Sequence, residues 1–306
     1  MDYGVHLPLI DFDGTEFSLG YLLKFTERAE GLGFDALAAN DHLLFPRPWL
    51  DGPTALASVL TKAGEMTLAT TVSLPIVRGP VAMAKSLAAL DLLSGGRLIA
   101  GVGPGSSARD YEAVGIPFAE RWQRLDESVA ALRALWSNDA ETEGGHYPTK
   151  GMDLMPRPLR PGGPPIWIGS WGSDAGIRRV ARLADGWLAS AYNTTPELFR
   201  NGLAKLNDML ERRGRDASRF PNALATMWCY VTEDRAIAED VLRTVVAQML
   251  GRDPEALRGQ ILVGPAEECR EKLEAYSQAG VQRVFIWPVK DPLEQLDIFM
   301  TQVANS

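Results

Sequence analysis

Short apolar runs alternate with amphipathic stretches from one end of the chain to the other, the rhythm of parallel strands joined by crossover helices. The first unit shows it in full. "DYGVHLPLI" predicts a strand, and Ser18 then caps a helix in which Leu19, Leu22, Leu23, Thr26, Ala29 and Leu32 recur at helical spacing until Gly33 ends it. Further strands are predicted at "ALAAN", "MTLATTVSL", "RLIAGVG", "PPIWIGS", "GWLAS", "ALATMWCYVT" and "RVFIWPV". Helical segments such as "RLDESVAALRALW" and "PAEECREKLEAYSQAG" stand between them. Eight strand–helix units spread over the chain predict an α/β protein, a closed (β/α)8 TIM barrel, with residues 1–306 as one domain. A doubly wound fold would show six strands and a composition break, and two smaller α/β domains are the competing organisation.

Two stretches depart from the rhythm. Residues Ser137 to Pro165, after the helix of the fourth unit, are rich in Gly and Pro and too irregular for a helix, which predicts an excursion at the barrel rim. Between Glu233 and Gly264 the run "AIAEDVLRTVVAQML" predicts one added helix after the seventh strand, placed to overhang the site. There is no internal repeat beyond the βα period and no low-complexity tract.

Composition narrows the function classes. A formal charge of -8 and a pI near 5.1 leave no basic face to displace counterions from nucleic acid, so a small-molecule substrate is expected instead. The two cysteines, Cys229 and Cys269, lie far apart with no Cys-x-x-Cys pattern, which fits a reducing cytoplasm and argues against a disulfide framework or structural zinc. The N-terminus lacks the basic start and apolar core of a secretory signal, and no apolar run reaches the length of a bilayer span.

In a barrel of this kind chemistry sits where strands end on the C-terminal face. Asn40, Asp41 and His42 close the second strand, Thr70, Thr71 and Ser73 the third, Gly101 to Ser107 the fourth, and Gly169 to Ser173 the fifth. A hydrogen-bonded turn or a helix cap is the plain structural reading of any one such ending, and four together weaken it. "GVGPGSS" at 101–107 spaces its glycines G-x-G-x-G, not as the dinucleotide fingerprint, so it is read as a tight turn whose glycines admit a flat ring close to the backbone. After the fifth strand, Ser173 or Asp174 opens a helix whose first N–H groups suit an anion, and the lysine of a nucleotide-hydrolysing P-loop is missing.

The three histidines, His6, His42 and His146, form no metal-ligand spacing, and a G-x-S-x-G nucleophile elbow is absent. No metal is expected. Chemistry by a bound cofactor remains.

"GLGFDALAANDHL", "TLATTVSLP", "LIAGVGPGSSARDYEAVGIPFAERWQRLDESVAALRALW", "PPIWIGSWGSDAGIRRVARLADGW" and "YSQAGVQRVFIWPV" together resemble the bacterial luciferase-like superfamily of flavin and deazaflavin oxidoreductases. The resemblance covers essentially the whole chain. It implies a (β/α)8 barrel, often a homodimer, that binds FMN or the deazaflavin coenzyme F420 in its mouth. "NDHL" is most similar to the Ser-Asp-His-Leu or Ser-Asp-His-Phe pattern of the F420-dependent branch, which implies His42 in proton transfer beside the ring, with Asp41 its neighbour. "TTV" resembles the segment carrying a non-proline cis peptide against the ring, here Thr71 to Val72. Gly103, Pro104 and Gly105 match the loop beside the ring, and Gly169, Ser170, Trp171, Gly172 and Ser173 the segment near the cofactor phosphate.

The departures restrict the chemistry. Where the F420-dependent glucose-6-phosphate dehydrogenases carry a catalytic glutamate, this chain has Ser106, which argues against sugar-phosphate oxidation by that route. Trp49 matches a stacking tryptophan of that pocket across a loop of different length, and Tyr111, Trp287, Trp171, Met152 and Met155 are further apolar candidates for lining a substrate pocket. The expectation is a cytoplasmic F420-dependent oxidoreductase passing a hydride between the deazaflavin and a small organic substrate. His42 is then the acid or base, and Asp41 sets its tautomer or charge. An FMN-dependent monooxygenase is the alternative, and a non-catalytic flavin-binding protein the second.

Overall fold

The computed structural model describes residues 1–12, 17–137, 141–143 and 145–305. Its strands are β1 (Asp2–His6), β2 (Ala36–Ala39), β3 (Thr67–Thr70), β4 (Leu98–Val102), β5 (Ile166–Gly169), β6 (Gly186–Ser190), β7 (Asn222–Val231), β8 (Leu262–Gly264) and β9 (Arg283–Pro288). Pairing is parallel throughout and runs from β1 through β7, then to β9 and back to β1. The eight strands expected from the patterning thus close the ring. Helices cover its outer face, and none of the described helices is long and apolar enough to cross a membrane.

The ring closes because inward positions, two apart on each strand, are filled by small and large residues in turn. Ala36, Ala38, Ala69, Ala223 and Ala225 share the interior with Ile99, Trp167, Leu188 and Phe285. Glycine makes room for the two rings: a Cβ on Gly4 would lie 2.5 Å from Phe285, and one on Gly186 2.5 Å from Trp167. Outward positions pack against the helices in the larger apolar layer.

β8 is the element the patterning does not predict. It lies outside the ring, pairing only with the far half of β7, where Cys229, Tyr230 and Val231 face Leu262, Val263 and Gly264. β7 can serve both partners because a bulge between Leu224 and Met227 bends it, with Thr226 in the left-handed region at φ 59°. The single added helix expected here is also longer business than one element. Asp234 caps a helix from Arg235, a π-helical stretch Val241–Ala247 continues it, and a separate helix spans Pro254–Arg258. This insertion does reach the mouth of the barrel, where Arg252 Nη2 donates to Asn193 Oδ1 at 2.8 Å just beyond β6.

The Gly/Pro-rich excursion lies at the barrel rim, as expected. It leads from a helix into a strand, so it runs at the N-terminal end of the barrel, away from the mouth. Arg160 fastens it there, donating to the buried Asp91 at 2.7 and 3.1 Å and to the carbonyl of Leu98, the first residue of β4. Residues 138–140 and 144 of that segment lie outside the described residues.

Candidate active site

A cleft of about 420 Å³ opens at the C-terminal ends of the strands. The ends of β2 to β7 all contribute to its wall, and it brings together Asp41, His42, Thr71, Val72, Gly103, Pro104, Gly105, Ser106, Gly169, Ser170, Trp171 and Ser173. Gly172, held at φ 87°, forms the turn between the last two of these.

His42 is hydrogen-bonded to Asp110 and not to its neighbour Asp41. Its Nδ1 lies 2.8 Å from Oδ2 of Asp110, whose other oxygen accepts the N–H groups of Leu43 at 3.1 Å and Leu44 at 2.7 Å. A carboxylate can only accept, so Nδ1 carries the proton and Nε2 is the nitrogen left over. Burial pushes the Asp110 carboxyl up, but the bond from His42 and the two N–H groups outweigh it and hold the group below the usual carboxylate range. Asp110 follows β4 in a short helix, Ala108–Ala113, 68 residues from His42. Only chain folding reveals the pair.

Asp41 instead holds the scaffold. Its oxygens accept from Arg78 at 2.5 and 2.7 Å and from the Leu74 N–H at 3.2 Å, and Arg78 also bonds Asp51, which caps the helix Gly52–Ser58. Burial works against the Arg78 charge, yet its bonds to Asp41 and its attraction to both carboxylates raise its pKa, so it stays ionised. The loops after β2 and β3 are thereby clamped together.

The Thr71–Val72 peptide is cis, as the resemblance implied. Asn40 Oδ1 grips this bulge by accepting the Val72 N–H at 3.1 Å. Val72 presses on the next loop, for a Cβ on Gly103 would lie 2.7 Å from Val72 Cγ2. Gly105 sits at φ 73° with Leu74 Cδ2 3.0 Å from its Cβ position. The protein's own packing and turn therefore already demand glycine in this loop, whatever ring approaches it. Thr71 lines the cleft, and its buried hydroxyl has no hydrogen-bond partner among the described residues.

At the opposite wall Ser173 caps the helix Asp174–Leu183, accepting the Gly176 N–H at 3.2 Å. Ser170 is fixed by the Trp187 indole, which donates to its carbonyl at 3.0 Å, and its hydroxyl accepts the Gly172 N–H at 3.3 Å. Asp174, the first residue of that helix, pairs with Lys205 at 2.6 Å, which offsets its charge at the helix start. Phe118, Arg121 and Trp122 complete the wall, with the Arg121 guanidinium 4.0 Å from the Phe118 ring centroid. Sequence reasoning passed over these three, although "FAERW" sets aromatic and basic side chains just ahead of a strong helical run.

The expected substrate-pocket residues separate by position. Trp171 is 56% exposed at the cleft edge, while Met152 and Met155 lie on the excursion at the far end of the barrel. Trp49 stands behind His42, edge-on at 4.8 Å between centroids, and is not part of the cleft wall. Trp287 is fully buried, stacked between His6 at 4.2 Å and Trp228 at 4.7 Å. Tyr111 is core as well, its hydroxyl donating to the Pro104 carbonyl from beneath the loop. Among the described residues no group of three or more His, Cys, Asp or Glu is placed to hold a metal.

Comparison with known proteins fits this geometry. The chain is 26% identical, over 94% of its length and 84% of the relative's, to the F420-dependent hydroxymycolic acid dehydrogenase of Mycobacterium tuberculosis. Its fold matches an F420-dependent secondary alcohol dehydrogenase in complex with an F420-acetone adduct at a TM-score of 0.85 and 18% identity, covering 99% of this chain and 98% of that one. It also matches the monooxygenase RslO1 from Streptomyces bottropensis at 0.83 and 22% identity, covering 99% of both. Residues 6–256 match the luciferase-like monooxygenase family, and the chain, a (β/α)8 barrel with its cleft at the strand ends, belongs to that family of oxidoreductases.

Proposed function

We propose that the protein is an F420-dependent oxidoreductase that passes a hydride between the deazaflavin ring and a small organic substrate, with His42 as acid or base. The observation that carries the reading is the His42–Asp110 pair at the mouth of the cleft. The residues present fit such a cofactor. Thr71 Oγ1 is a buried hydroxyl still in need of a partner, and the capped start of the helix at Ser173 suits a phosphate. When bound, the deazaflavin supplies or accepts the hydride. Asp110 fixes the His42 tautomer, so Nε2 gives or takes the accompanying proton. Asp41, Asn40 and Arg78 hold the Thr71–Val72 bulge in position. Ser106 brings no carboxylate to the cleft, and both oxygens of Asp110 are engaged, so the proton acceptor for a substrate hydroxyl is the imidazole.

The likeness to a dehydrogenase that is F420-dependent favours the deazaflavin. The likeness to a monooxygenase favours the second reading, FMN in the same cleft with oxygen as co-substrate. A non-catalytic flavin-binding protein would have no use for a carboxylate-oriented histidine. We place the enzyme in the cytoplasm, where its two buried free thiols stay reduced, acting as a one-domain homodimer on small molecules and not on nucleic acid. Titration with F420 and with FMN, followed by quenching of protein fluorescence, decides between the cofactors. F420 is expected to bind and FMN to bind far more weakly, and the reverse order overturns the reading.

A further inference from the structure

An acidic chain gathers arginines beside the cleft. A surface depression of about 370 Å³ is walled by Ala175, Arg178, Arg179, Arg182 and Arg213. Ala175 lies in the first turn of the helix whose Ser173 and Gly176 belong to the cleft wall, so the depression begins where the cleft ends. Trp122 joins the two. It faces the cleft, with the guanidinium of Arg179 4.8 Å from its ring centroid and that of Arg121 5.5 Å from it.

The charges along this path are unbalanced. Asp126 accepts from Arg179 and Arg182, and Asp174 is taken by Lys205. Among the described residues no carboxylate forms an ion pair with Arg121, Arg178 or Arg213, although Asp174 feels the charge of Arg178. Six cations thus face two carboxylates, on a protein whose net charge is -8. The Arg179 guanidinium lies over Trp122 and that of Arg121 over Phe118, so both are held against aromatic rings of the cleft wall. Such a rail suits a flexible ligand carrying several anionic groups in series.

We infer that Arg121, Arg178, Arg179, Arg182 and Arg213 form a subsite for the anionic tail of the cofactor beyond its phosphate. The inference rests on the F420 reading. FMN ends at its phosphate, whereas F420 continues into a lactyl group and a chain of glutamates, each adding a carboxylate. The helix start takes the phosphate, and the rail takes the tail as it leaves the cleft. Discrimination between the two cofactors then comes from outside the ring pocket.

The test is a fluorescence titration of the whole protein with three probes: F420 carrying several glutamates, F420 trimmed to the phospholactyl group, and FMN. In low salt the long tail is expected to tighten binding about tenfold over the trimmed form, and 0.5 M salt should remove that gain, because exposed ion pairs are individually weak and screened. The double variant Arg178→Gln, Arg213→Gln should lose most of the gain while binding trimmed F420 and FMN as before. Equal affinity for long and trimmed F420 in the parent protein overturns the subsite and leaves the proposed function standing, as does a double variant that keeps the full gain. Failure of both F420 forms to bind overturns the proposed function and the subsite with it.

Discussion

Asp110 accepts from His42 Nδ1 at 2.8 Å, and its second oxygen is spent on the two peptide N–H groups that follow His42. One carboxylate therefore orients both the imidazole and the loop that carries it. Asp110→Asn keeps the shape and removes the charge. Turnover is expected to fall by about 10 to 100-fold with F420 affinity within a few-fold, since the variant weakens the acid or base without touching the cofactor. Nitrogen NMR of the ring gives a second readout. The parent should show its proton on Nδ1, and the variant a mixture of tautomers. Unchanged tautomer and turnover together would sink the role.

Asp41 should behave differently, because its partner is Arg78 and its side chain is 1% exposed. Removing one charge from a buried pair leaves the other uncompensated, at a cost of about 3 kcal/mol. Asp51 still bonds Arg78, so the clamp loosens without losing every contact. Asp41→Asn is expected to lower the melting temperature by roughly 5 to 10 °C. Any loss of turnover should track the loss of folded protein near that temperature. A variant of parental stability with strongly reduced turnover would return Asp41 to the chemistry.

These two aspartates mark how far the sequence could be read. Apolar runs of four to ten residues made the ring strands legible, because parallel strands buried on both faces announce themselves by composition. β8 escaped because three residues carry no period. Adjacency made Asp41 look like the partner of His42, yet side chains that follow one another at a strand end point in different directions. The true partner stands on the next loop but one, in "ARDYEAVG", where nothing local marks an acceptor. Trp49, Tyr111 and Trp287 had the right chemistry for a pocket, but residue type alone does not say which face of a loop is wet.

The packing of Gly103 against Val72 offers a test of the bulge. An alanine Cβ would lie 2.7 Å from Val72 Cγ2, and a β-branched side chain held by its neighbours has little room to yield. Gly103→Ala should destabilise the protein by about 1 to 3 kcal/mol, the usual cost of overpacking, and weaken cofactor binding by displacing the bulge. Combining it with Val72→Ala removes the obstructing methyl groups. Denaturant melts and cofactor titrations of the double variant should recover much of the loss if the clash is the cause, and additive losses would show that it is not.

His6 provides the pH prediction. It is fully buried against Trp287, and its Nε2 accepts the Thr226 N–H at 3.2 Å, so it is neutral with its proton on Nδ1. Burial pushes its pKa down to about 3, against 6.5 for an exposed histidine. Between those values the unfolded chain binds a proton that the folded one does not. The contribution of His6 is therefore complete above pH 6.5 and is lost progressively as pH falls toward 3, with a limiting slope of about 1.4 kcal/mol per pH unit. His6→Gln removes that titration and can keep an acceptor for Thr226. Unfolding free energies of parent and variant should converge as pH is lowered from 6.5 to 5, a window in which groups common to both proteins cancel. Thr226 lines the cleft at the β7 bulge, so forcing a proton onto His6 would break the bond that seats it. His6 stays neutral in the folded protein until pH approaches 3, so the cofactor affinities of parent and variant should run parallel between pH 6.5 and 5 even as their stabilities converge. Parallel stability curves would mean that His6 stays neutral in both states or reaches water in the folded one.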